Sequence, residues 1–176
     1  MSRTTKKHTG NKRKAPPKKA KWITPAISTA IIAIIAVAAV LVLKGGDGVK
    51  AVRDADLVIS LSDISDSVKF YPVEIDGTKL EVIAVKAPDG TVRTAFNTCQ
   101  VCYDSGRGYY KQSGSVLVCQ NCGNRFKMSQ VEVESGGCNP VPIFGENKTV
   151  TDKTITISKE YLTEAKVIFG NWKTNY

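Results

Sequence analysis

Histidine is almost absent from this sequence, since the single residue of that type is His8, near the N-terminus. Its absence from the rest of the chain excludes two-Cys-two-His zinc fingers, His-ligated zinc enzymes and Ser-His or Cys-His catalysis there. Covalent haem is excluded as well, because that attachment needs a Cys-x-x-Cys-His motif. Tyr103 and Gly123 follow the two Cys-x-x-Cys pairs of this chain.

Acidic side chains are missing from residues 1–44, which hold ten of the 25 Lys and Arg residues of the 176-residue chain. The formal net charge of +9 therefore comes from the N-terminal region, and the 16 acidic residues nearly balance the remaining basic ones. A nearly neutral domain lacks the positive surface that binds phosphate backbones. We expect no nucleic-acid partner.

Ionisable side chains are also missing from residues 22–43. As a helix rising about 1.5 Å per residue, this segment would extend roughly 33 Å, against a hydrocarbon core of about 30 Å. It is therefore predicted to be a transmembrane helix that contacts the lipid bilayer. A cleaved signal peptide fits less well. Signal h-regions run about 7 to 15 residues and end near an Ala-x-Ala-like site, whereas the segment at 22–43 is longer and no such site follows it.

The distribution of charge predicts how the chain is oriented in the membrane. Nine Lys or Arg residues precede the apolar segment and only Lys44 follows it closely, which by the positive-inside rule places the N-terminus in the cytoplasm. We expect a disordered basic cytoplasmic tail at residues 1–21, a linker at 44–54 and an extracytoplasmic domain at 55–176. The predicted location is the cell membrane, with a single pass.

The predicted outer domain is mainly β with one short C-terminal helix. Runs of β-branched and aromatic residues predict strands over residues 55–61, 68–75, 78–86 and 91–97. Asp76-Gly77 and Pro88-Asp89-Gly90 predict turns between the last three. The later pattern predicts short strands at 108–112, 116–119, 125–133 and 154–157, then a helix at 159–169 with Ser158 as N-cap and Gly170 as C-cap.

Four of the five cysteines form two Cys-x-x-Cys pairs, Cys99 with Cys102 and Cys119 with Cys122, separated by sixteen residues. This spacing is typical of a four-thiolate metal site, because two residues between thiolates let one tight loop aim both sulfurs at a common point. A hairpin between the pairs would bring the two loops together. Four thiolates suit zinc, iron or an iron–sulfur cluster.

Disulfides are the first alternative, because thiols oxidise outside the cytoplasm. Five cysteines is an odd number, so two disulfides would leave one free thiol, whereas four metal ligands would leave Cys138 beside the site. A thiol-disulfide redox protein is a further alternative. Thioredoxin-type motifs stand at the start of a helix, and neither pair here is followed by a helical pattern.

Three blocks of sequence, residues 96–103, 118–126 and 136–143, resemble the FtrD-like family of membrane iron–sulfur proteins. The resemblance implies an extracytoplasmic domain that binds an iron–sulfur cluster or a metal. For some members of the family, the resemblance implies a role in ferrous iron uptake, in which the protein accepts electrons beside a copper oxidase and a permease. The expected function is electron transfer or metal relay, with a membrane transporter and a redox partner, and no catalysis of its own.

A more distant likeness concerns the loops. Residues 116–126 and 136–140 are similar to the second ligand loop and the proline-containing loop of Rieske domains, which cover a two-iron cluster on a β scaffold. Four thiolates in place of Cys and His pairs would lower the potential toward about −400 mV. On this interpretation Cys138 is a fifth, exchangeable ligand or a redox-active thiol, or else a small residue packed against the site. The other interpretation is a zinc-ribbon-like structural module for protein interaction.

Overall fold

The computed structural model describes residues 49–173, and within them the chain is mainly β with one short helix near the end. The strands are β1 (Val52–Arg53), β2 (Leu57–Ser60), β3 (Lys69–Ile75), β4 (Thr78–Lys86), β5 (Val92–Cys99), β6 (Tyr110–Ser113), β7 (Val116–Cys119), β8 (Arg125–Lys127), β9 (Pro140–Pro142), β10 (Thr149–Val150) and β11 (Thr154–Ile157). Helix α1 spans Lys159–Ala165.

The predicted basic tail at residues 1–21, the predicted span at 22–43 and the first part of the predicted linker lie outside the described residues. Between residues 49 and 173, no helix is both long and apolar enough to cross a membrane. The short strand β1 falls inside the range expected to be a linker, and it pairs in parallel with β3.

A five-stranded sheet in the order β1-β3-β4-β5-β9 forms the centre of the fold, and all its pairs but β1 with β3 are antiparallel. The predicted turn between β3 and β4 is confirmed, with φ of 48° at Asp76 and 75° at Gly77. Positive φ at both central residues is the type I′ geometry that suits a two-residue hairpin. Strand β9, which contains two prolines, takes an edge position, where a missing N–H costs no pairing.

The central sheet separates two cores, because side chains alternate between the faces of a strand. We call the first the apolar core (Leu57, Ile59, Ile64, Tyr71, Val73, Ile75, Leu80, Val82, Ala84, Phe96, Ile143, Ile155, Ile157, Leu162 and Phe169). We call the second the cysteine core (Ile83, Val85, Ala95, Cys99, Cys102, Tyr110, Leu117, Cys119, Phe126, Met128 and Val131).

A second sheet, β10-β11-β2, and helix α1 supply the other side of the apolar core. The predicted N-cap is confirmed, since Ser158 Oγ accepts a hydrogen bond from the backbone N–H of Tyr161 at 3.2 Å. The predicted helix at 159–169 consists of α1 followed by a 3-10 turn at Lys166–Phe169. Gly170 ends that turn with a φ of −55°, so it is not a left-handed cap.

The third sheet, β6-β7-β8, lies on the cysteine core. The strand predicted at 125–133 is wrong after Lys127, because β8 ends at that residue and a 3-10 turn follows at Met128–Gln130. Glu132 has a φ of 62°, which breaks the extended conformation. Its carboxylate receives a hydrogen bond from Lys148 Nζ at 2.5 Å, and this ion pair holds the turn in place.

Candidate metal centre

The first cysteine loop joins β5 to β6. Cys99 is the last residue of β5, and its N–H donates to the carbonyl oxygen of Gly108 at 2.8 Å. Cys102 starts a 3-10 turn and accepts a hydrogen bond on its carbonyl oxygen from Ser105 Oγ at 2.7 Å. A Cβ at Gly108 would lie 2.9 Å from the Cys102 carbonyl group, so only glycine permits this close approach.

The second cysteine loop follows β7. Cys119 is the last residue of that strand and lies opposite Tyr110 of β6. Its N–H donates to the carbonyl oxygen of Asn124 at 3.0 Å, and its carbonyl oxygen accepts from the N–H of Gly123 at 2.9 Å. Gly123 has a φ of 74°, which a glycine adopts without strain. This tight loop leaves Cys122 exposed at its tip.

The third loop, between β8 and β9, carries Cys138. The carbonyl oxygen of Cys138 accepts hydrogen bonds from Tyr110 Oη at 2.8 Å and from Asn124 Nδ2 at 2.9 Å. Gln100 Oε1 accepts from the N–H of Gly136 at 2.9 Å. Gln100 belongs to the first loop and Asn124 to the second, so the third loop is fastened to both.

The five thiols converge in two overlapping groups. The Sγ atoms of Cys99, Cys102 and Cys119, which we call the inner triad, all lie within 4.8 Å of one another. Those of Cys102, Cys122 and Cys138, the outer triad, do the same. All five cysteines are free thiols. The structure thus brings together every residue that the sequence proposed for the site, and the role of these thiols as metal ligands stays a prediction.

Burial differs between the two ends of the thiol cluster. Cys99 and Cys119 have relative exposures of 0% and 1%, whereas Cys122 is exposed and Cys138 half-buried. Cys102, which belongs to both triads, is 8% exposed. One end of the cluster is therefore buried inside the cysteine core, and the other end contacts solvent.

The surroundings of the inner triad shift the thiol pKa values in different directions. Burial raises the pKa of Cys119 to about 12 and also raises the pKa of Cys102. Burial acts the same way on Cys99, but hydrogen bonds from Tyr110 and from nearby backbone amides outweigh it and lower the Cys99 pKa. Because metal ligation requires thiolates, a bound cation would displace these protons.

At the solvent end, Cys122 and Cys138 shift in opposite directions. The backbone N–H of Asn124 donates to the Cys122 sulfur and lowers the pKa of that thiol. The pKa of Cys138 rises to about 12, first because of its hydrogen bond with Cys122 and then because of burial. Cys122 therefore ionises more readily than Cys138.

A polar network supports the first loop from within the central sheet. Asn97 Nδ2 donates to Glu81 Oε2 at 2.5 Å, and Asn97 Oδ1 accepts from the Tyr110 N–H at 2.7 Å. Burial raises the pKa of Glu81, against a lowering by the Asn97 hydrogen bond. Our sequence reasoning did not find Glu81 or Asn97. The signal was present, because a polar residue in an otherwise apolar strand needs a buried partner.

The C-terminal segment closes the first loop from outside. Asn171 Nδ2 donates to the carbonyl oxygen of Asp104 at 3.1 Å, and the N–H of Lys173 donates to the carbonyl oxygen of Gly106 at 2.9 Å. Gly106 has a φ of 73°, and a Cβ there would lie 2.0 Å from the Asn171 carbonyl oxygen. Trp172 Nε1 donates to the carbonyl oxygen of Asn97 at 3.2 Å.

The donor set fits a thiophilic metal. Sulfurs bound at about 2.3 Å to a tetrahedral zinc ion stand roughly 3.8 Å apart. The thiols here lie within 4.8 Å of one another in groups of three, and Cys122 belongs to a different group from Cys99 and Cys119. Thiolates also bind iron and iron–sulfur clusters. Cys99, Cys102, Cys119 and Cys122 would hold such a centre, with Cys138 adjacent to the last of them.

The family assignment agrees with this donor chemistry. The family described as membrane iron-sulfur containing protein FtrD-like matches residues 64–169. The chain belongs to the FtrD-like family. The match covers all three loops of the FtrD-like domain, including Cys138, and confirms the resemblance found in the sequence. No curated protein and no solved structure matches the chain.

Proposed function

We propose that this FtrD-like protein carries electrons or relays metal through an iron–sulfur cluster or an iron ion held by Cys99, Cys102, Cys119 and Cys122. The observation that carries the proposal is the inner triad, in which a thiol of the second pair lies within 4.8 Å of both thiols of the first. Two separate disulfide or redox motifs would not require this convergence. A bound iron centre would supply one-electron chemistry.

The burial gradient supports electron transfer. The buried thiols Cys99 and Cys119 and the aromatic ring of Tyr110 exclude water from one side of the site, and burial of this kind tunes the potential of a metal centre. The exposed Cys122 brings the opposite side to the protein surface. A redox partner that docks there would reach the centre over a short distance.

The loops support two architectures. Three loops that meet over a β scaffold support a Rieske-like arrangement, with thiolates in place of the two histidines. A second candidate function, a structural zinc module for protein interaction, is favoured by the small antiparallel sheet β6-β7-β8, since a zinc ribbon also supports its two thiolate loops on short antiparallel strands. The bound metal distinguishes these two candidates.

We also propose where the domain lies relative to the membrane and which partners it contacts. The family is described as one of membrane proteins, and residues 22–43 have the length and composition of one transmembrane helix. We place the N-terminus in the cytoplasm and the thiol cluster outside it. The partners would be a membrane-embedded iron permease or other transporter and a separate redox protein.

The deciding experiment is a metal analysis of the full chain, purified in detergent without oxygen. Iron with acid-labile sulfide, together with visible absorption that dithionite bleaches, is the expected result. Iron without sulfide would indicate a mononuclear relay site. Stoichiometric zinc in a colourless protein would replace the proposal with the structural module, and metal-free protein with disulfides would overturn both.

A pair of neighbouring substitutions supplies the control. Cys119→Ser removes a buried sulfur of the inner triad and is expected to abolish the iron absorption. Val118→Ala changes the adjacent residue of β7, whose side chain points to the opposite face of the strand. It should leave the metal content unchanged, and equal losses in both variants would mean that damage to β7, rather than loss of a ligand, removes the metal.

A further inference from the structure

The outer triad contains one thiol more than a four-ligand site needs. Cys138 lies within 4.8 Å of the sulfurs of both Cys102 and Cys122, so the solvent end of the cluster offers three sulfurs to a metal. Cys138 comes from a different loop than either of its neighbours and lies 16 positions after Cys122 in the sequence. Its approach to the cluster is therefore a product of the fold rather than of a local motif.

The third loop holds Cys138 by its backbone and leaves its side chain half-buried against the cysteine core. Tyr110 and Asn124 both donate to its carbonyl oxygen, which fixes the position of the main chain. Two glycines with φ of 89° and 70°, Gly136 and Gly137, precede it, and a Cβ added at either would meet no atom within 4 Å. The loop is thus anchored at Cys138 and unobstructed just before it.

We propose that Cys138 is a reserve ligand of the same metal centre, which takes the coordination position of Cys122 when that thiol leaves. This inference rests on the proposed function, because it requires that the cluster bind metal. In the exchange, the metal–sulfur bond to Cys122 breaks and a bond to Cys138 forms. Cys138 gives up a proton and Cys122 takes one, so neither charge nor oxidation state changes.

The two triads predict different consequences for each cysteine. Cys102 belongs to both triads, and Cys138 is grouped with neither Cys99 nor Cys119, so it does not reach the position that Cys102 takes in the inner triad. Cys122 shares the outer triad with Cys138. When Cys122 is lost, the Cys138 sulfur is therefore close enough to replace it as a ligand. Cys119 shares its triad with Cys99 and Cys102 at the sealed end. We therefore expect Cys138 to rescue the loss of Cys122 but not the loss of Cys102 or Cys119.

Cobalt(II) binding to the full chain, reduced and kept in detergent without oxygen, tests this. The thiolate-to-cobalt charge-transfer intensity reports how many sulfurs bind, and competition with a chelator gives the affinity. The variants are Cys122→Ser, Cys138→Ser and the double variant, with Cys102→Ser as the matched control. The far-ultraviolet circular dichroism of each variant shows whether the β fold is retained.

Cys122→Ser is expected to keep the intensity of the unchanged chain and an affinity within about tenfold of it, the lower limit of what loss of a supporting hydrogen bond costs a metal site. The double variant should bind at least about 100-fold more weakly and lose one thiolate of intensity. Cys102→Ser, which keeps Cys138, should lose as much affinity and intensity as the double variant.

Two results would overturn the inference and leave the proposed function standing. The first is that Cys122→Ser and the double variant are equally weak in affinity and equally reduced in intensity. The second is that Cys138→Ser alone removes a thiolate, which would make Cys138 an ordinary ligand. If the unchanged chain binds no cobalt, zinc or iron, the proposed function itself fails.

Discussion

The two faces of the central sheet differ in what they bury. The apolar core contains hydrocarbon and aromatic side chains, with Phe96 packed against Tyr161 and Phe169 at centroid distances of 5.8 Å each. The cysteine core contains three thiols, and the polar pair of Glu81 and Asn97 lies beside it. Hydrocarbon burial stabilises a fold without any ligand. The cysteine core has fewer large apolar side chains, and its thiols can all ionise only when a cation offsets the repulsion between the thiolates.

The two faces of this one sheet are therefore completed in different ways. Helix α1 and the sheet β10-β11-β2 complete the apolar core from the chain itself. On the opposite face, the sheet β6-β7-β8 is held by fewer apolar side chains and by the loops around the thiols. We expect the first face to persist without metal and the second to depend on it.

Metal removal is the largest expected effect. A structural zinc site contributes on the order of 10 to 16 kcal/mol of apparent binding free energy, which is coupled to folding. Treatment of the purified full chain with a strong chelator should therefore abolish amide hydrogen-exchange protection in β6, β7 and β8. Protection in β3 and β4 should remain. Uniform loss across both regions, or no loss in either, would contradict the division between the faces.

Truncation in the apolar core is expected to have the next largest effect. Phe96 is 1% exposed, and Phe96→Ala should lower the free energy of unfolding by about 3 to 5 kcal/mol, because it leaves a cavity between aromatic rings. Chemical denaturation measures this change. The metal content of the folded fraction should not change. Val150→Ala, at a position 56% exposed, is the control and should stay within about 0.5 kcal/mol.

Removal of the N-cap of helix α1 should destabilise the apolar-core side of the sheet by a smaller amount. Ser158→Ala removes the side-chain acceptor for the N–H of Tyr161 and should cost about 1 kcal/mol in the free energy of unfolding. Ser60 precedes a 3-10 turn without capping it, so Ser60→Ala is the matched control. An equal cost in both variants would show that the capping bond contributes nothing.

The smallest expected effect is a change in the pH dependence of stability on the cysteine side. Burial raises the folded-state pKa of Glu81, so its contribution is fully present below a pH of about 4.3, its unfolded value. That contribution is lost as the pH rises through the folded pKa. Glu81→Gln keeps an oxygen for Asn97 but does not ionise.

Urea denaturation at several pH values between acid and neutral measures this difference. Relative to the unchanged chain, Glu81→Gln should become more stable as the pH increases. Phe96→Ala serves as the comparison, because it should shift stability by the same amount at each pH. A constant difference for Glu81→Gln would mean that Glu81 titrates normally in the folded protein.

Much of the central sheet could be predicted from the sequence. Strands β3 and β4 contain runs of β-branched residues. Asp76-Gly77 between them favours a turn by itself, and the fold has a turn at this position. The cysteine spacing likewise predicted that the two Cys-x-x-Cys loops approach each other, as they do where Cys119 lies within 4.8 Å of Cys99 and Cys102. The role of these thiols as metal ligands stays a prediction. In each case the information lies in a single short segment of the chain, which contains the feature that it predicts.

The rest depended on contacts between distant parts of the chain. Strand β9 was not predicted, because Pro140 and Pro142 disfavour a strand except at the sheet edge that this one occupies. The predicted strand at 125–133 ended early because a 3-10 turn at Met128–Gln130 follows Lys127, and Glu132, which pairs with Lys148, then takes a left-handed conformation. The outer triad joins loops whose approach no spacing rule describes.

The hydrogen bond from Trp172 to Asn97 joins positions 75 residues apart, which has a consequence for the order of assembly. During synthesis the ribosome adds the first cysteine pair long before the segment that closes its loop. Contacts between such distant positions form late in folding. We therefore expect a nascent domain to meet a metal ion early and to retain it securely only after residues 171–173 have fastened the loop.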